Sequence, residues 1–338
     1  MTYNIYGFLI SILISVMYEG VSLKENNGHL SLALLGAALM CLSGCGTHSQ
    51  TAAPTPVTAV EEMAAPADTA VDTAISTETT EIKENTKMEV AVTELTVPNG
   101  DRTVYGKLYA PTAPGKYPAI ILSHGYNGTN ADFVRECRNY AAHGYVAYAL
   151  DFCGGSVNSK SSGSSTDMTI TSEKEDLLAV FDYIKAMDNV DSSNMILFGG
   201  SQGGLVSALV AAERADEIKA LAMYFPAFCV PDDWEKKYKS AEYAPETFDF
   251  WGLKLGRGFV ADAQTIDVFG TIGDFKGDVL ILHGDKDEIV PYSYSERAIE
   301  TYEHAELIKL EGEGHGFSMQ GGQTAKEKVL EFLDKETK

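Results

Sequence analysis

Stretches rich in lysine and arginine are missing from this chain, and basic residues are scarce overall, 26 against 48 acidic ones, for a formal net charge of −22. That scarcity excludes binding to nucleic acid or to an anionic membrane by charge. Acids lie both in the tract after Cys45 and in the later, globular part, where they read as a solvated surface. Cysteine is rare too, five in all. Cys41 and Cys45 sit in an N-terminal apolar segment, which leaves Cys137, Cys153 and Cys229, an odd number from which no complete disulfide framework can be drawn. There is no CxxC, no HExxH and no ligand spacing among the seven histidines, so neither a metal nor a cofactor is expected. No apolar run reaches the roughly 18–20 residues needed to span a bilayer.

What is present begins at residues 30–42 (LSLALLGAALMCL), 13 mainly apolar residues with the length of a signal-peptide core. The run ends in Leu42-Ser43-Gly44-Cys45, which resembles the lipobox of bacterial lipoproteins. That resemblance implies cleavage before Cys45, a lipid on its thiol, and an extracytoplasmic protein held at a bacterial membrane surface by the anchor alone. An earlier apolar run at 5–16 has no lysine or arginine ahead of it, so translation is expected to begin near Leu23, with Lys24 as the positive flank. From 46 to 88 threonine, alanine, proline and glutamate dominate, and large apolar residues are too few to offset ordering. This tract reads as a disordered tether. At roughly 5–6 Å × √n it holds the following domain about 35–40 Å from residue 45.

One globular domain, 89–338, follows. Strand-like runs occur at 88–97, 103–109, 119–123, 145–150, 195–198, 218–225, 279–282 and 307–310, with amphipathic helical patterns between many of them. Helices are expected at 133–143 and at 172–187, the second opened by a capping box of Ser172 and Glu175. Runs such as AIIL and VLIL lack the polar alternation of a sheet with one wet face. The fold class is therefore α/β, a mostly parallel doubly wound sheet that starts with an antiparallel hairpin at Asn99-Gly100-Asp101. Residues 227–277 break the rhythm and hold both tryptophans, Trp234 and Trp251, with Phe250 among several other aromatics. An insertion leaving the carboxyl end of a strand covers the usual ligand crevice. It is read as a cap whose Trp234, Phe250 and Trp251 wall an apolar pocket, with packing of the cap itself as the competing use of each ring.

Gly199-Gly200-Ser201-Gln202-Gly203 sits between the apolar strand MILF and the helix-forming run LVSALVAAE. This is the strand–turn–helix setting of a nucleophile elbow, where small neighbours are needed because the serine occupies a strained turn. A serine hydroxyl attacks at neutral pH only if a base removes its proton. His315, in the glycine-rich string after the last strand, reaches the same sheet edge. His124 and His283 each precede a glycine at a strand end and read as structural alternatives. A carboxylate must orient the histidine, and Asp285, Asp287 and Glu288 all follow the strand at 279–282.

The order serine, acid, histidine, together with HGxxDxxVP at 283–291 and His124-Gly125-Tyr126, resembles the α/β-hydrolase superfamily over residues 89–338. More narrowly, SHGYNG, the stretch Asp151–Ser156, SQGG at 201–204 and the cap placement are similar to bacterial cinnamoyl or feruloyl esterases. The resemblance implies that Asp287 is the acid and that the backbone N–H groups of Tyr126 and Gln202 stabilise an oxyanion. It implies hydrolysis of small carboxylic esters through an acyl-enzyme. Gly200 departs from the commoner elbow, which has histidine there. Two further functions stay open: a serine peptidase of the same superfamily, and a catalytically silent surface binding protein.

Overall fold

The computed structural model describes residues 87–337; the signal-like segment with Cys45, and the tether up to residue 86, lie outside them. The described chain opens with β1 (Val90–Asn99) and β2 (Arg102–Pro111), a hairpin turned at Gly100. Then come β3 (Tyr117–Ser123), β4 (Val146–Leu150), β5 (Val190–Gly200) and β6 (Ala220–Tyr224). Two short strands follow in the excursion, β7 (Thr247–Phe250) and β8 (Leu253–Gly256), before β9 (Asp278–Gly284) and β10 (Ala305–Leu310).

The main sheet runs β1-β2-β4-β3-β5-β6-β9-β10. Pairing is antiparallel for β1 with β2 and β2 with β4, and parallel elsewhere. Every central strand is apolar on both faces because both are covered. Ile120, Leu122, Ile196 and Phe198 point into one core with α1 (Val134–Ala142), while their neighbours Ala119, Ile121, Met195 and Leu197 point into the other. That second core is closed by α2 (Ile170–Lys185) and α3 (Gln202–Glu213). This is the alternation of side chains along a strand applied to central strands with no wet face.

Helix α2 begins one turn earlier than the sequence suggests. Thr169 is the cap: its side chain accepts from the Ser172 N–H at 3.0 Å, and the Ser172 hydroxyl oxygen accepts from the Thr169 N–H at 2.8 Å. Ser172 is thus the third helical residue and not the first partner of a box with Glu175. The longer helix carries Ile170 onto the buried stripe of Leu177, Phe181 and Ile184, which is the gain that decides between two possible boxes.

The excursion holds α4 (Val230–Lys237), α5 (Arg257–Ala263) and α6 (Val268–Thr271) around the β7–β8 hairpin. That hairpin was not anticipated. Its turn is Trp251-Gly252, with φ of +43° and +80°, the mirror-image geometry that matches strand twist. Helices α7 (Ser293–Thr301) and α8 (Met319–Thr337) complete the described chain.

Candidate active site

Strand β5 ends at Gly200 and α3 starts at Gln202, so Ser201 alone makes the turn, at φ +52° and ψ −121°. Such a conformation is rarely held by a residue with a Cβ. The turn persists because its neighbours leave no slack. A Cβ on Gly203 would overlap the carbonyls of Ser123 and His124, and one on Gly200 would lie 3.0 Å from the Phe133 ring. Phe133 therefore fills the place beside Gly200 where a larger elbow residue would need room. The Ser201 N–H is held by the Tyr224 carbonyl at 3.0 Å.

Ser201, His315 and Asp287 come together from three separate strand ends. The His315 Nε2 lies 3.0 Å from Ser201 Oγ, and its Nδ1 lies 2.8 Å from Asp287 Oδ2. Asp287 also accepts from the N–H groups of Ile289 and Val290 at 2.8 and 2.9 Å, and from His283 Nε2 at 3.2 Å. Burial alone would push its carboxyl pKa up, but these donors outweigh burial and hold it well below the usual range. An ionised carboxylate only accepts, so each histidine turns an N–H toward it. His315 is left with a lone pair on Nε2, facing the serine hydroxyl.

His283 is the partner the sequence reading treated only as a structural alternative. Its side chain is fully buried, its Nε2 also donates to the Val290 carbonyl at 3.1 Å, and its Nδ1 accepts from the Ser295 hydroxyl at 2.7 Å. His124 is structural as well. Burial keeps its imidazole neutral, with Nδ1 donating to the Gly125 carbonyl at 2.7 Å and Nε2 accepting from the Phe152 N–H at 3.0 Å. This pair of bonds fixes the loop that carries Tyr126 over the nucleophile: a Cβ on Gly125 would sit 3.0 Å from Ser201 Cβ. Asp285 faces elsewhere and accepts from the Gly312 N–H at 2.7 Å, bracing the turn that leads to His315.

The N–H groups of Tyr126 and Gln202 make no hydrogen bond among the described residues. Below Gln202 lies a group that sequence gave no reason to pick. Glu173, on α2, is buried and accepts from Gln202 Nε2 at 2.8 Å; burial pushes its carboxyl up to about 8 in spite of that bond. Tyr126 in turn ties the loop to the cap, its hydroxyl donating to the Phe250 carbonyl at 2.7 Å.

Trp234, Phe250 and Trp251 all border a cavity of about 300 Å³ that opens on Ser201. They differ in surroundings. Trp234 is 4% exposed and packs on Phe248, Phe250 and Phe259, whereas Trp251 is 64% exposed at the hairpin tip. Lys237 lies over the Phe250 ring, 4.5 Å from its centre. Cys137, Cys153 and Cys229 are free, buried thiols whose pKa burial raises.

Comparison with known proteins adds four findings. The model of the prolyl oligopeptidase family matches residues 129–338. The structure of Est1E from Butyrivibrio proteoclasticus, solved with ferulic acid bound, superposes with a TM-score of 0.64 at 29% identity, covering 72% of this chain and 98% of that one. Among curated proteins, the mitochondrial palmitoyl-protein thioesterase of Mus musculus is 27% identical over 196 residues, which are 54% of this chain and 62% of the relative. The caffeoylshikimate esterase of Arabidopsis thaliana is 29% identical over 117 residues, 34% of each chain. The match thus spans less than two thirds of either curated relative.

Proposed function

The chain belongs to the prolyl oligopeptidase family of α/β-hydrolases, and from that premise we propose that it is a serine-dependent carboxylic-ester hydrolase that accepts aromatic or medium-length apolar acyl groups, hydroxycinnamoyl esters among them. The observation that carries the reading is the unbroken line from Ser201 through His315 to Asp287, at 3.0 and 2.8 Å, beside an aromatic-walled cavity. Est1E, at 29% identity, was solved with ferulic acid, a ligand of the proposed acyl class.

In this mechanism Ser201 Oγ attacks the ester carbonyl while His315 Nε2 takes its proton, and the charge formed on His315 is balanced by Asp287. The N–H groups of Tyr126 and Gln202 bind the oxyanion of the tetrahedral intermediate. His315 then returns the proton to the departing alcohol oxygen. Water, deprotonated by the same nitrogen, releases the acid and restores the serine.

Two measurements on the full chain test the reading. A fluorophosphonate probe should label Ser201, and absence of label from the folded protein would favour the catalytically silent binding protein instead. A panel of p-nitrophenyl esters, methyl hydroxycinnamates and aminoacyl anilides should show turnover of the esters; cleavage confined to the anilides would make the protein a peptidase. We place the protein at a bacterial membrane surface through a lipid on Cys45, on the lipobox-like LSGC alone. Mass spectrometry of a mature N-terminus without acyl modification would overturn that placement.

A further inference from the structure

Ser201 opens on two cavities. The first, of about 300 Å³, lies under the cap; the second, of about 500 Å³, is bordered by His315, Phe133, Phe225 and Phe317, with Asp132 and Glu136 on its wall. Ser201, Tyr126, Trp251 and Ile289 border both, while of these two cavities His315 borders only the second. If the serine is acylated as proposed, a premise on which the subsite depends, this asymmetry assigns the two halves of the ester. The proton taken from Ser201 rests on His315 Nε2 and must pass to the leaving oxygen across hydrogen-bond distance. The alcohol therefore departs on the His315 side, and the acyl group stays under the cap.

We infer that the second cavity is a leaving-group subsite for a bulky alcohol that is neutral or positively charged. Its volume exceeds that of the acyl cavity, so a methyl or ethyl alcohol leaves the faces of Phe225 and Phe317 in contact with water, and a larger one gains by covering them. Its charged wall has one sign. Asp132 spends one carboxylate oxygen on the Thr129 N–H at 3.1 Å, and Glu136 is half-buried with its carboxyl raised by burial. The nearest bases, Arg135 and Lys326, border the adjoining groove beyond Phe317 and do not border this cavity. Both bases already act on Glu136 and neither lines the cavity, so an anionic alcohol would be brought out of water against carboxylates with no base on that wall.

The test uses the full chain and four esters of one acid, 3-phenylpropanoic acid, with aliphatic alcohols: methyl, 2-phenylethyl, 3-(trimethylammonio)propyl and 3-sulfopropyl. The quantity is kcat/KM, which reports acylation, the step in which the alcohol is still present. The phenylethyl ester should exceed the methyl ester about tenfold or more, and the ammonium ester the sulfonate about tenfold or more. Glu136→Gln, and separately Asp132→Asn, should narrow the charge ratio, with the uncharged phenylethyl-to-methyl ratio as the control for folding. If the methyl ester is hydrolysed through a labelled Ser201 while all four constants agree, or if the sulfonate is favoured, the subsite is overturned and the esterase reading stands. If none of the four is hydrolysed, both fall.

Discussion

Asp287 and Asp285 are two residues apart and have opposite duties. Asp287 gathers four donors and His315 depends on it, whereas Asp285 accepts one backbone N–H at the protein surface. On the proposed mechanism Asp287→Asn should lower kcat about 10³–10⁴-fold, because an amide in its place no longer sets the histidine tautomer. Asp285→Asn keeps an acceptor for Gly312 and should change kcat less than about threefold. Steady-state kinetics with the two variants exchanged in rank would move the acid role to Asp285. Glu173 gives a pH signature. Its folded pKa of about 8 lies above the ordinary glutamate value of 4.5, so its contribution is fully present below pH 4.5 and is lost as pH rises through about 8. Glu173→Gln keeps an acceptor for Gln202 and removes the charge. Thermal melts should show a gain over the parent at pH 8.5, up to a few kcal/mol, that shrinks toward zero near pH 4.5; an equal difference at both would mean that Glu173 is not held protonated. Ser201 and His315 were legible in the sequence because an elbow and a glycine-rich loop are local patterns. Glu173 and the His283 bond to Asp287 were not, because what makes them matter is burial and a partner supplied by the fold.

At the scale of elements, the cap hairpin shows both what sequence carries and how it is overlooked. Thr247–Phe250 and Leu253–Gly256 alternate apolar and polar residues around Trp251-Gly252, a hairpin signal; the density of aromatics drew the reading toward a pocket instead. The early boundary of α2 has the same origin, since Thr169 and Ser172 both fit a cap and only the burial of Ile170 separates them. The central strands β3, β4, β6 and β9 were legible because apolar runs covered on both faces are continuous in sequence, while the edge strand β1, exposed along most of its length, was legible from its β-branched residues. The two tryptophans of the cap should now behave differently. Trp251→Ala, at the exposed tip, should cost little stability but lower the preference in kcat/KM for an aromatic acyl ester over acetyl by about tenfold. Trp234→Ala removes the ring on which Phe248, Phe250 and Phe259 pack and should cost about 3–5 kcal/mol as well as selectivity. An unchanged acyl ratio in a folded Trp251→Ala would show that the acyl group does not reach the hairpin tip.

For the whole molecule, the backbone of Ser201 sets a trade. Its φ of +52° is imposed by the sheet end, the helix start and the carbonyls that Gly203 lets close in, and a side chain there stores strain of about 1–3 kcal/mol. Ser201→Gly should relieve it, at an unfolded-state entropy cost of about 0.5–1 kcal/mol. Denaturant titration should then find Ser201→Gly more stable than Ser201→Ala by about 1 kcal/mol, with neither variant turning over ester. Equal midpoints would mean that the strain is no larger than the entropy cost of glycine, about 0.5–1 kcal/mol, and so below the range given for such a turn. If the difference is found, then in any lineage kept for persistence and not for turnover, mutation and drift run downhill at codon 201. On the proposed mechanism, an intact serine at that position is then kept against stability, for its chemistry alone.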